Sequence, residues 1–220
     1  MAEKVAGVWP PAGRILNATL IQWGKGRTIF RVHRSIYRAD QFNDNRNGNA
    51  RFSPLIDPQQ STVIPTLYAG TTVDCALMET VFHDVPYQSG LKTVSKAKYV
   101  EGTICSTLIL ADDLCLVDLS SVALHKLGVA PSHLTQTEAA DYPASREWAR
   151  VLYEQNTGAQ GLIWTSRRDD HAQALLLFEP RVDPSALHIG DESFPLLLPD
   201  GSARMEVLNL AARLDTLLVP

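Results

Sequence analysis

The sequence predicts an α+β domain in which a mixed, twisted β-sheet carries helices on its outside. Three observations lead there. Segments at 28–32, 66–69, 102–110, 114–119, 161–166 and 174–178 have strand length and are rich in β-branched, aromatic and aliphatic residues. Segments 72–83 and 144–155 carry apolar residues at helical spacing. A short charged connector, 167–171, joins two of the strand segments and reads as a hairpin.

Along the chain, residues 1–25 contain Pro10, Pro11, Gly13 and Gly24 and read as an extension with a short element at 15–21. Residues 28–32 alternate and read as a strand. Residues 40–50 are loop by composition, and a polar loop between ordered elements commonly carries function. After the strand at 66–69, Thr72 is a good N-cap, with Asp74 in the first turn where the helix dipole favours a negative charge. The spacing predicts a helix to about His83, ending before Pro86, with Val73, Ala76, Leu77, Thr80 and Val81 buried. Glu79 lies off the centre of that stripe, at the boundary of core and solvent. The second helix presents Ala144, Trp148, Val151 and Leu152 on one face and stops at Gly158. Residues 205–218 form an apolar run that reads as helical.

With 220 residues and 45% hydrophobic composition, the chain can bury a sizeable core as one compact domain with appendages. A net charge of -4 argues against direct nucleic-acid binding. The charge is uneven, however: Arg27, Arg31, Arg34, Arg38, Arg46 and Arg51 cluster in a stretch with only Asp40 and Asp44 against them. A local basic patch on an acidic protein suits a small anionic ligand better than a polymer. Arg34, Arg38 and Arg46 read as a solvated face. Cys75, Cys105 and Cys115 are odd in number and make no C-x-x-C pair, which fits a reducing cytoplasm. No apolar run has signal-peptide length, and none approaches the roughly 20 residues a membrane span needs.

Several polar residues stand at the edges of apolar elements, which are rigid mounts for a ligand site. Arg31 lies within a strand. Buried there, it must meet an acidic residue or wait for an anion. Arg51 follows a Gly-Asn-Ala turn and can close over the same ligand. Guanidinium suits phosphate because its planar fork makes paired, charge-assisted bonds. Cleavage of a nicotinamide–ribose bond builds positive charge on the sugar, as in glycoside hydrolysis, and a carboxylate stabilises it. Glu79 is the candidate carboxylate, Tyr68 a flat face for the nicotinamide ring, and Ser166 a hydrogen-bonding group at a strand end. Taken singly, each has a plainer reading: a solvated glutamate, a core tyrosine, a turn-forming serine, a structural ion pair for Arg31. Order and context along the chain favour the functional set.

A Ser-His hydrolase is disfavoured because Ser166 sits in Trp164-Thr165-Ser166-Arg167-Arg168 rather than in a G-x-S-x-G elbow. The six histidines show no metal-ligand spacing, so no metal is expected. No Walker or G-x-G-x-x-G loop is present, and phosphate grip therefore falls to side chains.

The series Phe30-Arg31-Val32, Ala50-Arg51-Phe52, Leu67-Tyr68-Ala69, Ala76-Leu77-Met78-Glu79-Thr80 and Gly161-Leu162-Ile163-Trp164-Thr165-Ser166 followed by Leu176-Leu177-Phe178 resembles the RES-domain family. The resemblance covers residues 27–182, with 1–26 as an N-terminal extension and 183–220 as a tail packed on the domain. It implies an ADP-ribosyltransferase-like split mixed β-sheet with flanking helices. It further implies a bacterial toxin that degrades NAD+ and is neutralised by a cognate antitoxin, often of the Xre helix-turn-helix type. On this resemblance the catalytic residues are Arg31, Glu79 and Ser166, with Arg51 and Tyr68 binding substrate. NAD+ is then the substrate, with no further cofactor. Water, phosphate or a protein takes the ADP-ribosyl group, and a homo-oligomer stays open. A non-catalytic nucleotide-binding regulator is the alternative from another class.

Overall fold

The computed structural model describes residues 7–220. In chain order the elements are β1 (Thr19–Trp23), β2 (Thr28–Arg34), β3 (Leu55–Ile56), β4 (Val63–Ile64), β5 (Thr66–Gly70), α1 (Val73–Met78), β6 (Lys92–Ser95), α2 (Lys96–Tyr99), β7 (Thr103–Leu110), β8 (Leu114–Asp118), α3 (Ser121–Leu127), α4 (Tyr142–Gln155), β9 (Gly161–Thr165), β10 (Gln173–Phe178), β11 (Leu187–Pro195), α5 (Met205–Arg213) and β12 (Thr216–Val219). Eight strands form one mixed sheet in the order β1-β8-β9-β10-β5-β2-β7-β11. Only β8 and β9 run parallel; the other neighbours are antiparallel. Two of its strands, β1 and β11, come from residues before 27 and after 182.

The sheet opens at its middle. β2 runs beside β7 along its whole length, from Thr28 opposite Ile109 to Arg34 opposite Thr103. β5 pairs as fully with β10. Between β2 and β5, by contrast, a single register position joins the halves, Phe30 opposite Gly70. The strands diverge beyond it and leave a cleft.

Three apolar clusters hold the layers together. Trp148 and Leu152 of α4 and Leu124 of α3 pack on Leu162, Trp164, Leu176 and Phe178 of one sheet face. Ile163, Leu175 and Leu177, the intervening residues of the same strands, face a second cluster with Leu67, Leu108 and Leu187. Burial on both faces explains why β9 and β10 read as unbroken apolar runs instead of alternating. The third cluster joins Leu77 and Met78 of α1 to Val207 and Leu210 of α5 and to Phe82, Val94 and Cys105.

The hairpin of β9 and β10 forms as expected. The structure differs from the sequence reading at three element ends. The short element expected at 15–21 is the edge strand β1, four residues further on at its start. The helix after Thr72 is capped as predicted, with the Thr72 hydroxyl accepting from the Cys75 amide. It ends at Met78, however, and Glu79 is its C-cap. The chain tightens there because the Phe82 amide bonds the Leu77 carbonyl, turning Phe82 into the third cluster. The apolar run at 205–218 splits into α5 and β12, which pairs in parallel with β6. The break falls at Asp215, a left-handed residue with φ of 49° that an unbroken helix cannot hold.

Candidate active site

A cavity of about 530 Å³ lies in the cleft. It falls within the size range of small-molecule sites. Its walls come from β2, the loop after it, β5, the end of α1 and the start of α4, and they include Arg31, Arg51, Tyr68 and Glu79. Four of the five sequence-predicted residues therefore line one space. The fifth, Ser166, stands directly behind Glu79.

Glu79 and Ser166 are brought together by the sheet. Gly70 at the end of β5 lets α1 come close, since a Cβ there would stand 2.8 Å from the Ala76 nitrogen. α1 thereby packs against β10 and places its C-cap beside the end of β9. The Ser166 hydroxyl donates to Glu79 Oε1 at 2.6 Å. The Ser166 Oγ in turn accepts from the amides of Arg168 and Asp169, each at 3.1 Å. Ser166 is 1% exposed, so its hydroxyl has no freedom to turn away. Ser166 thus fixes one carboxylate oxygen of Glu79, which a solvated helix glutamate would lack.

The two arginines lie on the other walls. Arg31 is 7% exposed, and its Nη1 donates to the backbone carbonyls of Ala39 at 2.7 Å and Gln41 at 2.5 Å. Its protein partners are carbonyl dipoles, which orient the fork without cancelling its charge. Burial lowers its pKa from the ordinary guanidinium range to about 10, with Asp40 acting in the opposite sense. Asp40 is itself held by the exposed Arg38, through bonds of 2.9 and 2.8 Å. Arg51 is 4% exposed, and its Nε and Nη2 are buried with no hydrogen-bond partner among the described residues. The guanidinium stands 5.8 Å from the centre of the Tyr142 ring. An unpartnered buried cation facing a cavity is costly unless an anion occupies it.

Tyr68 lines the cavity, but its hydroxyl is used structurally. It accepts from the Phe52 amide at 2.9 Å and so anchors the segment that carries Arg51. Desolvation pushes the phenol up to about 12, and the Glu79 charge acts in the same sense. Its ring meets Trp164 edge-on at 6.2 Å. Arg146 of α4 holds the other side of the segment, donating to Asn49 Oδ1 at 3.0 Å and the Ala50 carbonyl at 3.3 Å.

Sequence reasoning left out Tyr142 and Asn49, which also line the cavity. Tyr142 lies at the first turn of α4, just before Pro143, and its only local signal is a helix start. Arg34, Arg38 and Arg46 are exposed as expected; Arg34 reaches the carbonyls of Lys98 and Glu101 and Arg46 that of Ser61. Among the described residues no helix is long and apolar enough to cross a membrane.

A split mixed sheet with a cleft at its single-pair junction, walled by two buried guanidiniums and a positioned carboxylate, defines an α+β fold with one candidate site. More particularly, residues 28–197 match the RES domain, and the chain belongs to that family. Among solved structures it is similar to the M. tuberculosis MbcT-MbcA toxin-antitoxin complex, with a TM-score of 0.58 at 16% sequence identity over 80% of this chain and 86% of that one. No curated protein matches the sequence.

Proposed function

We propose that this chain is the toxin of a toxin–antitoxin pair and that it depletes NAD+ by cleaving the nicotinamide–ribose bond. One observation carries the reading: two buried guanidiniums and the serine-held carboxylate of Glu79 border a single cavity. Membership of the RES domain family and the toxin–antitoxin match support the biological role.

In this reading Arg31 and Arg51 take the pyrophosphate, whose charge replaces the missing partners of Arg51. Tyr68 packs against the nicotinamide end. As the C1′–N bond breaks, its electron pair passes to the ring nitrogen, which leaves as neutral nicotinamide. The sugar becomes oxocarbenium-like, and Glu79 offsets that charge at a fixed distance because Ser166 holds its other oxygen. Water or phosphate then bonds C1′ and loses a proton, giving ADP-ribose or its 1-phosphate. A cognate antitoxin, of the Xre type by the family resemblance, neutralises the activity.

The test is direct. Purified protein is incubated with NAD+ in buffer with and without inorganic phosphate, and nicotinamide is measured. Release without a protein acceptor is expected, along with loss of release in Glu79→Gln. Intact NAD+ under both conditions, with expression still arresting growth, would sink the proposal. Labelling of a protein by radioactive NAD+ in place of free product would redirect it to ADP-ribosyl transfer.

A further inference from the structure

His83 lies one turn beyond Glu79 in sequence, and it borders the same cavity. Two side chains bond its ring. Nδ1 is 3.0 Å from Asp84 Oδ1, and Nε2 is 3.3 Å from the Tyr142 hydroxyl. Asp84 is in turn held through Oδ2, which accepts from the Tyr99 hydroxyl at 2.9 Å. An ionised aspartate accepts only, so Nδ1 carries the proton and Nε2 presents its lone pair toward the cavity wall. This is the arrangement of an oriented base. Resting on the NAD+-cleaving reading above, we infer that His83 is the general base for the acceptor, oriented by Asp84.

The step is balanced. An acceptor water replaces the Tyr142 hydroxyl at Nε2 and attacks C1′ as nicotinamide leaves. One oxygen–hydrogen bond breaks, one carbon–oxygen bond forms, and the proton passes to Nε2. The imidazolium is stabilised by Asp84, then returns its proton to solvent through the 29% of the His83 side chain that stays exposed. Glu79 is reserved for the sugar, because one of its oxygens is engaged by Ser166. Two protein groups therefore divide the work, one facing the cationic ribose and the other the incoming oxygen. Asp84 is held ionised, its pKa lowered chiefly by the bond to His83 and also by Tyr99. Burial raises the pKa of Tyr142, which remains a neutral phenol and a positioning residue.

Other charges face His83 from neighbouring elements. Glu138 precedes α4 and is paired at 2.7 Å with Arg167, which follows β9. Arg168 donates to the Val85 carbonyl, and Lys98 lies beside Asp84 on α2. Glu138 is engaged by Arg167, and Asp84 is the carboxylate that bonds the ring.

The experiment measures nicotinamide release from NAD+ between pH 5 and 9 in phosphate-free buffer. Wild type is expected to show a rising limb governed by one group. His83→Asn should lower kcat about 100-fold, the lower end of general-base effects, flatten the limb and leave KM near wild type. Azide, a nucleophile with no proton to lose, should restore release to His83→Asn but not to Glu79→Gln. Asp84→Asn, at an exposed position that tolerates the change, should lower kcat about 10-fold and leave KM near wild type, because the ring loses the partner that orients it. Tyr142→Phe should keep the limb. Full turnover in His83→Asn, wild-type kcat in Asp84→Asn, or no azide rescue in a folded His83→Asn overturns the assignment of His83 while leaving NAD+ cleavage intact. Absence of NAD+ cleavage by wild type both with and without phosphate removes both readings, whereas cleavage that requires phosphate overturns His83 as a base for water and leaves NAD+ cleavage intact.

Discussion

Ser166 and Glu79, 87 positions apart, meet in a 2.6 Å hydrogen bond that joins the end of β9 to the C-cap of α1. The bond does two things at once. It fixes a carboxylate at the wall of the cleft, and it ties the connector before β10 to the helix, since the same hydroxyl accepts from two backbone amides. Ser166→Ala should therefore affect both activity and stability. The carboxylate gains rotational freedom, and a fall in kcat of about 10- to 100-fold is expected with a smaller change in KM. The two amides lose their acceptor inside the protein, at roughly 1–3 kcal/mol. Steady-state kinetics and thermal melting check the two parts separately. A variant of wild-type activity would remove Ser166 from the positioning of Glu79.

Arg51 predicts the opposite relation between stability and binding. Its buried Nε and Nη2 have no hydrogen-bond partner among the described residues, so two donors of a buried guanidinium are left unpaired. Arg51→Met keeps the stem and removes the charge. It should raise the melting temperature of the ligand-free protein, because a buried unpaired cation is worth less than an apolar side chain of similar volume. The same variant should bind NAD+ at least about 10-fold more weakly, from the loss of charge-assisted bonds. Thermal shift with and without NAD+ reads both. A variant that melts lower and still binds would show that Arg51 is structural.

His33 makes stability depend on pH. Its ring is buried, with Nε2 at 2.9 Å from the Ser106 hydroxyl and Nδ1 at 3.0 Å from the Arg34 carbonyl. Burial first, and the Arg31 charge also, hold its pKa below the ordinary 6.5. The unfolded chain therefore takes up a proton before the folded one does, and stability falls as pH drops through and below 6.5. Melting temperatures at pH 7.5 and 5.5 should differ more for wild type than for His33→Asn. Equal slopes would mean that His33 is solvated in the folded state.

The three thiols should separate by reactivity. Cys75 and Cys105 are buried, and desolvation pushes each up to about 12. Thiolate is the reactive form, so neither should react at pH 8. Cys115 is only partly buried. A thiol reagent should label Cys115 alone in the native protein and all three cysteines in denaturant, as read by mass spectrometry. Labelling of Cys75 in the native state would show that the helix bearing Glu79 opens readily.

The sequence alone determined the kinds of element that border the cleft and the identity of the polar residues at their edges, but not the strand that ends the 205–218 run. Buried strands announce themselves by composition, and capping by Thr72 is a local event within four residues. It could also put Arg31 before two alternatives, a carboxylate or an anion, because the cost of burying charge is general. What it could not decide was where those edges meet. The end of α1 depends on Phe82 turning into a core assembled from β6, β7 and α5, and the strand after α5 depends on β6, more than a hundred residues earlier. The choice at Arg31 was made by the carbonyls of Ala39 and Gln41, the lack of partners at Arg51 by a cleft, and the place of Tyr142 by the docking of a helix. Apart from the Arg31 contacts, which lie only eight and ten residues on, each of these is a relation between segments far apart in the chain. Distances of 3 Å across such separations are set by packing of the whole domain and leave no mark on local composition.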